Sequence, residues 1–180
     1  MEGERLRISG GMWLMLPAVL LCLPLPWVIA VFLAALVHEC GHLLAIYWIS
    51  GKKASMVISA FSARIPLPEM TCGAEFVCAL AGPAAGLFLI LLYRWIPRTA
   101  ICALVQSLFN LLPVYPLDGG RALRCGLEML IPPVLARKIC DAVACVVLFL
   151  LAGISIYAAF FWDLGFFSLL VMAVMLFRLK

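Results

Sequence analysis

The sequence predicts an all-α polytopic membrane protein of about six transmembrane helices, with a small β-strand or hairpin inserted between spans two and three. Three observations predict it. The chain is 67% hydrophobic and only 12% charged, with a mean hydropathy of +1.18, whereas soluble domains are about half apolar and about a quarter charged. Its apolar residues fall into long runs separated by charges and helix breakers. Its 180 residues allow about six crossings of roughly 20 residues each and leave no room for a separate soluble domain. A single integral-membrane domain over 1–180 is therefore expected.

The elements follow in order. The first apolar run, about Met12 to Leu23, is short for a full crossing, and "LPLP" (23–26) turns the chain because proline disrupts helix interiors. The N-terminal stretch lacks a small-residue cleavage site and equally apolar segments follow it, so it does not read as a cleaved signal peptide. The second span runs from Trp27 to Ser50. Next comes "GKKASMVISAFSARIPLPEMTCG" (51–73), whose middle, residues 55–65, alternates loosely and is rich in β-branched and aromatic residues. That pattern suits a strand or hairpin, with an ordinary cytoplasmic loop as the plainer alternative. The third span, about Ala74 to Trp95, ends at "RWIPR" (94–98). The fourth starts near Thr99 and runs into "NLLPVYPLDGG" (110–120), where two prolines and two glycines must break the helix. The fifth covers about Ile139 to Phe160 and the sixth about Phe161 to Phe177.

The net charge of +4 records orientation better than an acidic partner, and nothing points to nucleic acid. With a cytoplasmic N-terminus and six alternating spans, eleven Lys and Arg lie inside and only Arg94 and Arg98 lie outside. Both termini are then cytoplasmic, in a multi-pass protein of the lipid bilayer. The eight cysteines include no C-x-x-C pair and read as small hydrophobic residues.

One stretch resists a purely lipid-soluble reading. "HECGH" (38–42) in span two holds both histidines of the chain and a glutamate. An acidic residue at a helix centre costs about 2.5–3.5 kcal/mol to insert, even on lenient scales, and such residues are functional by default. At i and i+4, His38 and His42 leave one helix face a turn apart, and Glu39 is rotated by about 100° beside them. Two imidazoles with a neighbouring carboxylate suit a catalytic zinc ion, one per chain. Cys40 faces away. Gly41 allows another backbone to approach closely.

A catalytic zinc normally takes three protein ligands. Glu69, Glu75, Asp118, Glu128, Asp141 and Asp163 are the downstream candidates, and Asp118 is the best placed. It follows Pro113 and Pro116 and precedes Gly119-Gly120, in a stretch expected to be unwound, and such backbone at membrane depth must line protein or a cavity. Asp141 and Asp163 read as interface residues.

"HECGH" followed on a later span by "NLLPVYPLDGG" resembles the site-2 protease family of intramembrane zinc metalloproteases. In size and layout the chain is most similar to the subgroup without a PDZ domain that includes the stage IV sporulation protease. The resemblance covers about Trp27 to Arg124, the expected catalytic core. It implies His38, His42 and Asp118 as zinc ligands, Glu39 as catalytic acid/base, and Asn110 as a residue that helps hold substrate or the developing oxyanion. It implies a membrane-tethered substrate, such as a pro-sigma or anti-sigma factor, bound as an extended strand near residues 55–65 in a prokaryotic cell or forespore membrane. "AGPAAG" (81–86) resembles the family's A-G-P motif, with Gly86 where an asparagine is often found. Lys180 follows the last span directly, so regulation by an appended nucleotide-sensing domain is not expected.

Three other readings remain open. A membrane H-E-x-x-H protease of another family would take Glu128 as third ligand. A zinc or ion carrier would offer several polar sites along a path, yet the other spans hold few charges. An inactive binding module would not need the full set of four residues.

Overall fold

The computed structural model describes residues 7–8, 24–51, 57–59, 62–64 and 70–161. The expected first span (12–23), nearly all of the sixth (161–177), Glu69, Phe61 and Asp163 lie outside the described residues. Among those described, the chain is mostly helical: α1 Leu25–Ser50, α2 Cys72–Phe88 continued by a 3-10 turn Leu89–Leu92, α3 Pro97–Asn110, α4 Asp118–Glu128 and α5 Pro133–Phe161. Short strands β1 (Arg7–Ile8), β2 (Val57–Ser59) and β3 (Ser62–Arg64) pair in that order, β1 parallel and β3 antiparallel to β2.

Among the described residues three helices are long and apolar enough to cross a membrane: Leu25–Ser50, Cys72–Leu92 and Pro133–Tyr157. The expected fourth span is shorter than a crossing. With 14 residues, α3 is about 21 Å long, against a hydrocarbon core of about 30 Å. It stops at Asn110 because Pro113 and Pro116 cannot continue it.

The described residues pack as two compact units, one ending at Asn110 and the other starting at Leu111. In the first, α1 packs on α2 and α3, and α2 packs on α3. The inner face of α1 is a stripe at every fourth residue: Ala30, Ala34, His38, His42 and Ile46 are buried. Large apolar side chains cover its other sides, with Phe32, Leu36, Leu44 and Trp48 exposed, as lipid contact demands. Hydrophobicity is therefore nearly uniform around α1. What marks its inner face is small size and polarity, which let neighbouring backbones approach. Ala34, Leu89 and Ala103 form the apolar plug of this unit. At the start of α2 the Thr71 side chain accepts a hydrogen bond from the Ala74 N–H, a capping contact that satisfies one free backbone donor.

In the second unit α4 packs on α5, and Val114, Leu117 and Ala144 form its core with Leu112, Val147 and Leu148 against them. The "LDGG" stretch is not unwound. Asp118 is the first residue of α4, following Leu117 in an extended conformation. A carboxylate is favoured in a first helical turn by the helix dipole. The two glycines belong to that helix as well. A Cβ on Gly119 would strike the Leu111 carbonyl, and one on Gly120 would strike the Val114–Tyr115 backbone. They are glycine because the incoming loop folds tightly over the start of α4.

Candidate metal centre

His38 and His42 are 3% and 7% exposed on the inner stripe of α1. Their Nε2 atoms lie 3.2 Å apart, with the rings edge-on at 83°. The protons on these rings follow from their partners. The Cys78 carbonyl can only accept, so His42 donates through Nδ1–H at 2.8 Å and its Nε2 carries a bare lone pair. The Asn110 amide donates through Nδ2 to His38 Nε2 at 3.3 Å, so that nitrogen carries no proton either. Two imidazole lone pairs facing each other at this distance repel unless a cation serves both. Two nitrogens bound to one tetrahedral zinc at about 2.0–2.1 Å would be separated by about 3.3 Å. The donor pair fits a metal.

Asp118 brings a carboxylate whose side chain is 13% exposed and lies 3.7 Å from the Arg121 guanidinium. His38 and His42 offer two nitrogen ligands within the first unit, and Asp118 offers a carboxylate at the start of α4 in the second. Glu39, next to His38 on α1, is half-buried. Asn110 ends α3 and is half-buried. Glu128 is engaged differently. It accepts a 2.7 Å hydrogen bond from Arg124 one turn earlier on α4.

Two parts of the centre carry no signal in the side-chain pattern. The first is the Cys78 carbonyl, a backbone atom that fixes the His42 tautomer. Metal-bound histidines regularly have such an outer partner. The second is the seat that "AGPAAG" forms on α2. A Cβ on Gly82 would overlap the His42 ring, and a Cβ on Gly41 would lie 2.6 Å from the Ala81 carbonyl oxygen and 2.7 Å from the Ala85 Cβ. The small residues thus bring the α1 and α2 backbones together at the depth of His42. Gly82→Ala should push His42 off its carbonyl and lower zinc affinity by about 10–100-fold, the usual cost of disturbing an outer-shell contact. Competition with a chromophoric chelator measures this, and unchanged affinity would mean the seat has no part in metal binding.

No protein-family profile and no curated protein matches the chain. Among solved structures it is similar to the site-2 protease from Methanocaldococcus jannaschii, with a TM-score of 0.65 and 18% identity, over 93% of this chain and 87% of that one. With three helices among the described residues long and apolar enough to cross a membrane and two facing imidazoles that fit a metal, the chain has the fold of a site-2 protease.

Proposed function

We propose that the chain is an intramembrane zinc metalloprotease of the site-2 type, which hydrolyses peptide bonds within or beside the transmembrane segment of a membrane-tethered substrate. The observation that carries this reading is the pair of unprotonated imidazole nitrogens 3.2 Å apart on the buried stripe of α1, to which Asp118 would add the third ligand. The glutamate beside them in sequence is what separates a hydrolase from a metal store.

Zinc held by His38, His42 and Asp118 would supply a Lewis acid that brings the pKa of a water toward about 7. Glu39 takes the proton from the attacking water as the new carbon–oxygen bond forms, and returns it to the amide nitrogen as the carbon–nitrogen bond breaks. Asn110, whose amide gives up its contact with His38 Nε2 once a metal takes that lone pair, would direct its N–H donors at the oxygen that becomes negative. Depth agrees with this chemistry. His42 precedes Ser50, the last residue of α1, by eight positions, or about 12 Å along the axis. Lys52 and Lys53 follow, so in the proposed orientation water enters from the cytoplasm.

A substrate helix keeps its peptide bonds in its own hydrogen bonds, and it must unwind locally before cleavage. We assign the segment at 55–65 to receive the unwound stretch as an added strand. Ile58→Pro breaks the pairing of the central strand β2 that holds the edge strand β3 in place and should slow cleavage of every substrate by tenfold or more in a co-expression assay. Equal rates would exclude strand addition at this segment.

The zinc-carrier alternative separates cleanly. Glu39→Gln leaves a carrier able to move metal, whereas the protease retains metal and loses cleavage. Neighbouring genes encoding a membrane-tethered transcription factor or its inhibitor would identify the substrate class.

A further inference from the structure

Ser107 lies on α3 one turn before Asn110, in the interior of the first unit, and is 0% exposed. Its hydroxyl is fully buried and has no hydrogen-bond partner among the described residues. Leaving a hydroxyl unpaired in an apolar interior is unfavourable, and alanine would fit the same helix at no such cost. The facing helix makes room for it: a Cβ on Gly86 would overlap the Ser107 Oγ. The position is bracketed by two contacts. One turn earlier on α3, Ala103 shares an apolar cluster with Ala34 and Leu89. One turn later, Asn110 meets His38. Ala34 and His38 are themselves one turn apart on the buried stripe of α1, so Ser107 sits at the depth from which the His38 ring emerges.

The two histidines differ in the support so far described for them. His42 has the Cys78 carbonyl behind it. If His38 Nε2 faces a metal, its Nδ1, which is buried, must carry the ring proton, and a protonated imidazole nitrogen in this interior calls for an acceptor. Resting on the metal reading above, we propose that Ser107 is a positioning residue of the centre: its hydroxyl accepts from the His38 Nδ1–H, by rotation about χ1 or across one water, and Gly86 is there to make room for it. The hydroxyl proton turns back toward the Ala103 carbonyl, the bond that serine commonly makes four residues earlier on a helix.

The test uses the purified full chain in detergent with zinc as probe. It compares the parent, Ser107→Ala, and the double variant Gly86→Ser/Ser107→Ala, which carries the hydroxyl on the opposite helix. With the Ser107 oxygen gone, a Cβ at position 86 meets the residue 107 Cβ at an ordinary 3.6 Å. Ser107→Ala is expected to weaken zinc binding about tenfold and to alter the visible spectrum of the cobalt-loaded protein. The metal-free melting midpoint should stay the same or rise. The double variant should return affinity to within about threefold of the parent. The proposal is overturned if Ser107→Ala binds zinc as the parent does, or if it lowers the metal-free midpoint and the double variant recovers no affinity. A parent chain that binds no zinc would overturn the metal centre itself, a result distinct from either.

Discussion

Glu39→Gln should lower peptide-bond cleavage by about 10²–10⁴-fold, the range that a positioned general acid–base supplies, while the protein keeps its metal. The substitution is nearly isosteric. It removes the ability to accept a proton and leaves His38 and His42 in place on the inner stripe of α1. The measurement is the ratio of cleaved to intact substrate on a gel, with metal content determined on the same preparation. Retained cleavage would remove Glu39 from the chemistry. Joint loss of metal and cleavage would make its role structural. The insertion cost of a carboxylate in a membrane helix means that this variant should also express at least as well as the parent.

Asp118→Ala should abolish both stoichiometric zinc and cleavage, because two imidazoles alone leave a catalytic site one protein ligand short. Glu128→Ala is the informative comparison. Glu128 is paired with Arg124 at 2.7 Å, and breaking an i,i+4 pair of this kind typically costs a helix only about 0.3–0.5 kcal/mol. Zinc content and cleavage should therefore survive it. The opposite pattern, with Asp118→Ala active and Glu128→Ala empty, would move the chain to the other H-E-x-x-H class.

The histidine pair was legible because of where it stands. A solvated His–Glu pair explains "HECGH" in a soluble helix, but nothing in lipid offsets the cost of burying it unless it binds or reacts. Asp118 was legible through its neighbours, the prolines and glycines that forbid a continuous span. Its local structure was not. The helix from Asp118 to Glu128 is not anticipated by the sequence reading, because its apolar content is low and two glycines, which normally oppose helix, follow Asp118. Those glycines are retained for the tight loop above them, which no local pattern reveals. The extent of α3 was missed for a related reason: an apolar run suggests a full crossing, yet the helix ends at Asn110, near the histidines. Ser107 is unremarkable in sequence and Gly82 stands out only as part of "AGPAAG"; the packing of α2 against α1 and α3 shows what each of them faces. The Cys78 carbonyl is invisible in principle, since every residue has one.

The most direct measurement is X-ray absorption at the zinc edge of the purified full chain, with metal content on the same sample. The expected result is one zinc per chain with only nitrogen and oxygen neighbours at about 2.0–2.1 Å, two of them imidazole. A chain without stoichiometric zinc, or a sulfur neighbour at about 2.3 Å placing a cysteine among the ligands, would contradict the assignment of His38, His42 and Asp118.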